Sequence, residues 1–171
     1  MLYITELLGH SDRYDDRLVL PFDRRQKSRV RVRLESGEEA GLFLKRGTIL
    51  RGGDCLRASD ARIVRVVAAD EPVMRVTADT PVRLVRAAYH LGNRHVPLQI
   101  GAGWLRLEQD HVLMEMLLGL GGVRVENENA PFEPEAGAYG GGHRHHHDDA
   151  PGALIRPPLR AKERLEKSRH D

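Results

Sequence analysis

Histidines are the residues of this sequence whose type and spacing could do chemistry. His90 and His95 stand on either side of a Leu-Gly-Asn turn in the stretch YHLGNRHVPL. A helical pattern precedes the turn and a short apolar run, residues 96–100, follows it, so regular structure on both sides would hold a ring that still reaches the surface. Such a placement suits a metal ligand, because imidazole is the commonest metal-binding side chain.

A second group of histidines lies near the C-terminus, where four of the nine fall within five positions. They are His143, His145, His146 and His147. Imidazoles beside the carboxylates of Asp148 and Asp149 suit nickel, copper, zinc or iron without selecting one. The Gly-rich residues 140–142 would leave this cluster on a flexible arm that binds and releases ions readily. A purification tag and a solvated polar segment are the alternatives, and metal binding is favoured because short His-rich tracts have few other physical uses.

A closed metal site needs more ligands than this turn supplies in one subunit. The simplest completion is a symmetric dimer in which His95 of each copy meets at the two-fold axis. His111 is a further candidate ligand, since it falls in the first turn of a predicted helix, where the helix dipole disfavours protonated imidazole. An exposed helix residue without a ligand role is the alternative that stays open for His111.

Composition excludes several classes of protein. The chain has 171 residues, a formal net charge of +2 and no apolar run long enough to span a bilayer. Its one cysteine, Cys55, can form neither an internal disulfide nor a thiolate zinc site. The N-terminus has no export signal, and we expect a cytoplasmic protein. Because the sequence has no nucleophile, phosphate-loop or zinc-hydrolase motif, we predict no catalytic residue and no enzyme.

The elements that must position the histidines begin with an all-β domain, residues 1–71. Residues 29–34 alternate arginine with apolar residues, and two further apolar runs follow between Gly-rich turns. Short strands at such intervals indicate a small barrel or sandwich. We interpret Arg29, Arg31 and Arg33 as a solvated strand face and not as a nucleic-acid site, because no aromatic side chain interleaves with them. A docking face for an acidic protein partner is the third interpretation.

A second domain, residues 72–130, follows in the order strand, helix, two strands, helix, strand, which is that of a ferredoxin-like fold. Thr80 and Pro81 begin the first helix, and Asp110 caps the second. Residues 131–171 are expected to be a flexible tail. The predicted fold class is therefore α+β: an all-β domain, a ferredoxin-like βαββαβ domain and a flexible tail that contains histidines.

The first helix of this second domain is predicted to bury an apolar stripe and to end at Gly92 and Asn93. The members of the stripe recur at helical spacing and are Val82, Leu84, Val85, Ala88 and Leu91. Three short strands are predicted after it, over residues 96–100, 104–107 and 123–125.

Four stretches of the sequence carry a resemblance to a known family. They are SGEEAGLFLKRGTILRGGD, YHLGNRHVPLQI, DHVLMEMLLGLG and NAPFEPEAGAYGGGHRHHHDD. Over most of its length the chain resembles the UreE family of urease accessory proteins, which are nickel-binding metallochaperones. The resemblance implies a homodimer that delivers nickel for assembly of the urease active site, with urease apoprotein and a GTP-hydrolysing accessory protein as partners. It also implies that the N-terminal domain is similar to a peptide-binding chaperone domain.

The resemblance also assigns roles to two histidines. The histidine of the family's GNRH motif binds metal at the dimer axis, and here that residue is His95. The histidine of the DHVL motif, here His111, is a peripheral ligand in some members, of which some carry another histidine where this chain has Gln109. Nickel is the implied cargo, although zinc or copper could bind the same ligands. The alternative function is a protein-binding chaperone of an enzyme complex, whose histidines are incidental or store metal.

Overall fold

A computed structural model describes residues 2–136. It contains the strands predicted in the first half of the sequence and the helix caps predicted in the second half. The predictions for residues 137–171, including the four clustered histidines, lie outside this range. The strands are β1 (Leu2–His10), β2 (Asp16–Leu20), β3 (Arg29–Arg33), β4 (Glu39–Phe43), β5 (Asp54–Ala58), β6 (Ile63–Ala68), β7 (Asp70–Ala78), β8 (Gln99–Gly101), β9 (Trp104–Glu108) and β10 (Val123–Pro131). The helices are α1 (Phe22–Arg25), α2 (Pro81–Gly92) and α3 (His111–Gly119). This mixture confirms the α+β fold class.

The N-terminal strands form one six-stranded sheet in the order β2-β6-β5-β1-β4-β3. Strand β1 pairs in parallel with β4 and antiparallel with β5, where its register shifts twice. The core is made of alternate residues from every strand, among them Ile4, Leu18, Leu42, Leu56 and Val64, all fully buried. Along the edge strand β3 the arginines are exposed while Val32 is buried, as the alternation predicted.

The second sheet has four strands in the order β10-β7-β9-β8, and both longer helices pack on one of its faces. This topology confirms the predicted βαββαβ arrangement of a ferredoxin-like fold. The predicted caps are also confirmed: Thr80 Oγ1 accepts a hydrogen bond from the Arg83 amide, and Asp110 Oδ1 accepts one from the Leu113 amide at 3.0 Å. The first residues of both helices are therefore fixed by side-chain caps.

The predicted apolar stripe of α2 is wrong in two members. Ala87 and Leu91 are buried and Leu84 and Ala88 pack beside them, whereas Val82 and Val85 are 70% and 69% exposed. The two valines lie on the side of the helix that points away from the sheet. A helix that packs on one face of a sheet buries only one stripe of side chains. Because α2 has apolar residues on two sides, one of these sides stays exposed.

Two strands differ in extent from the predictions. The strand predicted over residues 96–100 is β8, Gln99–Gly101, because residues 96–98 form an irregular segment between the turn after α2 and the strand. The strand predicted over residues 123–125 is β10, which pairs with β7 from Val123 to Pro131. Strand β10 lies at the edge of its sheet, so much of it faces solvent and no apolar alternation marks its second half.

Only Ala69 separates β6 of the first sheet from β7 of the second. The two sheets share a small apolar cluster of Phe22, Val73 and Phe132, in which the two phenylalanine rings meet edge to face at 5.4 Å. The domain limits 1–71, 72–130 and 131–171 stay a prediction. Within residues 2–136, no helix is long and apolar enough to cross a bilayer.

Candidate metal centre

His95 ends the turn that follows α2 and has a left-handed backbone, with φ of 56°. Its amide donates to the Gly92 carbonyl at 2.9 Å, and the Val96 amide donates to the Leu91 carbonyl at 3.3 Å. These two bonds make a Schellman motif, in which the left-handed position is usually glycine. A side chain there costs on the order of 1 kcal/mol, and such strain is typical of functional positions.

The turn around His95 is anchored on both sides. Leu91 is fully buried, and Val96 packs against the same core cluster, which is the apolar contact that accompanies a Schellman motif. Arg94 Nη1 donates to the His90 carbonyl at 3.1 Å and so caps the C-terminal end of α2. His95 itself is exposed. The hydrogen-bonded turn therefore presents an exposed imidazole, and the role of His95 as a metal ligand stays a prediction.

His95 also lines a surface pocket of about 420 Å³. Three segments contribute to it: the residues after His95, the N-terminal sheet with its short helix, and the end of the described chain. The lining residues besides His95 are Phe22, Gln26, Ile49, Val96, Pro97, Leu98, Ile100, Glu135 and Ala136. The pocket wall is mostly apolar, and the His95 imidazole and the Glu135 carboxylate are the lining groups that could hold a metal ion.

His111 lies elsewhere, as the first residue of α3, and is exposed. It does not line the pocket of His95. Gln109, at the position where some family members carry a histidine, donates from Nε2 to the Val73 carbonyl at 3.5 Å. The ligand role of His111 stays a prediction.

Across residues 2–136, no three histidine, cysteine, aspartate or glutamate side chains come together to hold one ion. His95 and His111 are therefore not joined in a complete site within this part of the chain. The remaining predicted ligands, His143, His145, His146 and His147, lie outside it. Cys55 is fully buried in β5.

An exposed apolar face on α2 is the feature that the sequence prediction missed. Val82, Val85 and Tyr89 recur along one side of the helix, and Tyr89 is 65% exposed. Tyr89 also contacts His90, with the two rings 5.6 Å apart. The three- and four-residue spacing of Val82, Val85 and Tyr89 is visible in the sequence. The sequence alone did not show that the core stripe lies on a different side of the helix, which leaves these three residues exposed.

Comparison with known proteins places the whole described chain in one family. Residues 4–69 match the N-terminal domain, and residues 71–163 the C-terminal domain, of the UreE urease accessory protein family. The chain is 61% identical over 132 residues to the urease accessory protein UreE of Cupriavidus necator, covering 77% of this chain and 68% of that protein. It is 58% identical to that of Alkalilimnicola ehrlichii, covering 82% and 86% of the two chains, and 47% identical to that of Nitrosospira multiformis, covering 93% and 90%.

These matches confirm the resemblance found in the sequence motifs and, with it, the prediction of an accessory protein that is not an enzyme. The chain belongs to the UreE family of urease accessory proteins.

Proposed function

We propose that this chain is a nickel metallochaperone, a cytoplasmic homodimer that carries nickel on histidines and delivers it for assembly of the urease active site. The observation that carries the proposal is His95, an exposed imidazole in a strained backbone conformation at the end of α2. Family membership supports a part in urease maturation. The proposed partners are urease apoprotein and its GTP-hydrolysing accessory protein.

The sparse ligand set suits a carrier. One imidazole per subunit, held on a rigid turn, fixes where the ion sits while leaving coordination positions open to incoming ligands. An ion held this way can pass to an acceptor by exchange of one ligand at a time. Nitrogen ligands suit nickel, and they also accept zinc or copper in solution.

The exposed apolar face of α2 supports the homodimer. Val82, Val85 and Tyr89 are on the helix that ends in the His95 turn. A second copy packed on this face would cover the three side chains in an isologous contact. Two His95 side chains would then approach each other near the two-fold axis and complete a shared site.

The remaining histidines have auxiliary roles in this proposal. His143, His145, His146 and His147 would capture ions and exchange them with His95. Ala136, the last described residue, lines the same pocket as His95. His111, exposed at the start of α3, would be a peripheral ligand.

The test is a nickel titration by calorimetry, with mass determination, on wild type, His95→Ala and a chain that ends at Gly142. His10→Ala is the matched control, since His10 is an exposed histidine at the end of β1. We expect the shortened chain and the control to keep one tight site per dimer and His95→Ala to lose it. Equal binding by His95→Ala and wild type would overturn the proposed site.

The second candidate function is a protein-binding chaperone whose histidines are incidental. It is favoured by the edge strand β3, whose exposed Arg29 and Arg31 have no carboxylate within 4 Å in the described part of the chain. Replacing Arg29, Arg31 and Arg33 by glutamine tests it by partner pull-down and urease activation. Loss of both in these variants, with full activation by His95→Ala, would favour this candidate over nickel delivery.

A further inference from the structure

The outer face of the N-terminal sheet, which points away from its core, carries two exposed aromatic side chains. Tyr3 on β1 and Phe43 on β4 are 45% and 46% exposed, and their ring centroids lie 5.6 Å apart. Single apolar residues scattered over a surface need no explanation, whereas apolar side chains that are exposed together mark an interaction site. The pair is therefore a candidate for contact with another molecule.

The strand register places both rings beside arginines of the edge strand β3. Phe43 is the direct partner of Arg29 in the antiparallel β3–β4 pair. Gly41 is the partner of Arg31 on one side and of Tyr3 on the other, and it has no side chain to separate them. Because paired residues point to the same side of a sheet, the two rings and the two guanidinium groups share one face. Tyr3, Arg29, Arg31 and Phe43 form the outer patch.

The two arginines of the outer patch carry charge that the described part of the chain does not balance. No carboxylate of residues 2–136 lies within 4 Å of Arg29 or Arg31. Arg33, on the same strand, differs from them because it pairs with Glu39 at 3.2 Å. The unpaired charge is thus confined to the half of β3 that borders the two rings.

A basic pocket of about 560 Å³ continues the outer patch at the start of β3. Arg29 lines it together with Lys27 and Arg46, and none of the described residues in its wall is acidic. Its two sides are joined by the Leu44 amide, which donates to the Ser28 carbonyl at 2.8 Å. Positive groups around one hollow attract an acidic group and repel a basic one.

The composition of this surface fits a protein partner. Aromatic rings and arginines supply most of the binding energy at the centre of protein interfaces, and an arginine without a counterion selects a carboxylate. Single-stranded nucleic acid also stacks on aromatic rings, but it needs a basic groove along its backbone. Here the Glu39 carboxylate borders the outer patch, and the formal net charge of the whole chain is only +2. Charge complementarity therefore favours an acidic protein.

We propose that the outer patch and the basic pocket form a docking surface for an acidic protein partner. The partner covers Tyr3 and Phe43 with apolar side chains and pairs its carboxylates with Arg29 and Arg31. No histidine belongs to this surface, so docking is independent of nickel binding, and only the choice of partner for the test rests on the proposed function.

The test measures how tightly the full chain binds the proposed partners, a purified complex of urease apoprotein and its GTP-hydrolysing accessory protein. Biolayer interferometry with a chelator present excludes bridging by metal. We expect Phe43→Ala to raise the Kd at least about tenfold, because it removes a ring from the centre of the surface. Arg31→Gln should raise the Kd about fivefold and weaken the dependence of binding on salt.

Two control variants match these changes in kind but lie outside the outer patch. Tyr14→Ala removes a ring that is 42% exposed between β1 and β2. Arg57→Gln removes an arginine of the same sheet that is already paired with Glu6, at 2.9 Å. Both should leave the Kd within about twofold of wild type. Tyr3→Ala is a second aromatic variant, and thermal unfolding of every variant reports whether the fold is kept.

Several outcomes would overturn the inference. These are a wild type that does not bind the complex, unchanged binding by folded Phe43→Ala and Arg31→Gln, or equal losses in the two controls. A fall in the mass of the chain itself in Phe43→Ala would assign the outer patch to a second copy. Binding of a single-stranded oligonucleotide of about 12 nucleotides, lost in Phe43→Ala, would assign it to nucleic acid.

Nickel titration separates this inference from the proposed function. Phe43→Ala should bind nickel as wild type does, and His95→Ala should bind the partner complex as wild type does in chelator. If the docking variants behave like wild type while His95→Ala loses nickel, the docking surface fails and the proposed nickel site stands.

Discussion

The buried guanidinium of Arg25 lies 3.0 Å from the carboxylate of Glu133, although these residues come from opposite ends of the described chain. Their ion pair joins the short helix α1 to residues 132–136, which follow β10. Because the amides of Glu133 and Glu135 also bond to Gln99 and Leu98, the pair links the N-terminal sheet to the segment that follows His95.

Removing this carboxylate should destabilise the protein. Glu133→Ala leaves the Arg25 charge buried without its counterion, and we expect the free energy of unfolding to fall by about 3 kcal/mol. Urea denaturation measures it. Glu35→Ala is the control, because the Arg17–Glu35 pair is on the surface and should contribute nothing measurable. Equal effects of the two substitutions would contradict a structural role for the buried pair.

Glycine at position 95 should stabilise the fold while abolishing nickel binding. The backbone of His95 is left-handed, a conformation that glycine adopts without strain. We expect His95→Gly to exceed His95→Ala in free energy of unfolding by about 1 kcal/mol, although both lack the imidazole. Thermal unfolding and nickel titration of both variants check this. If His95→Gly is the less stable, the turn differs from the one described.

A charge on the exposed face of α2 should separate the dimer. Val85→Glu places a carboxylate where a second copy would cover apolar surface, and we expect dimerisation to weaken at least about tenfold. Sedimentation equilibrium gives the dissociation constant, and circular dichroism reports whether the monomer stays folded. Val19→Glu, which changes an exposed valine on the N-terminal sheet, is the control. A dimer that survives Val85→Glu with unchanged affinity would place the interface elsewhere.

Nickel binding should weaken in mild acid. Protons compete with the metal for histidine nitrogens, so we expect the affinity to fall by about tenfold or more between pH 7.5 and 5.5. Calorimetric titrations at several pH values, corrected for buffer protonation, measure this. Affinity that is constant across this range would argue against histidine ligands.

Glu71 should make the protein less stable as pH rises. Burial raises the pKa of its carboxyl, which is only partly offset by the hydrogen bond that it accepts from the Phe22 amide at 2.9 Å. Because the folded-state pKa lies above the unfolded one, Glu71 supports the fold at low pH, and this support is lost as pH rises through the folded pKa. Glu71→Gln keeps an acceptor for Phe22, so its free energy of unfolding should exceed that of wild type at pH 7.

The advantage of Glu71→Gln should shrink toward pH 4, where the wild-type carboxyl is protonated. Urea denaturation at both pH values measures the difference. Glu115→Gln, an exposed change on α3, is the control and should show no such trend. A wild type that is the more stable at pH 7 would contradict the assigned direction of the Glu71 pKa.

Local patterns in the sequence predicted the elements around the candidate metal centre with few errors. Thr80 and Asp110 mark the starts of α2 and α3 because a side-chain oxygen beside a free helix amide is a short-range interaction. The alternation in β3 correctly predicted that its arginines are exposed, because side chains along a strand point to opposite faces in turn. This too is a short-range effect. The motif around His95 was likewise enough to identify the candidate ligand.

Only the tertiary structure decided which apolar face of α2 is buried and how the two ends of the described chain meet. Val82 and Leu84 are equally apolar in sequence, and the sheet beneath the helix selects between them. The Arg25–Glu133 pair depends on groups whose positions are set by the packing of both sheets. Sequence spacing carries short-range preferences, whereas contacts between distant segments arise only when burial of their apolar neighbours brings them together.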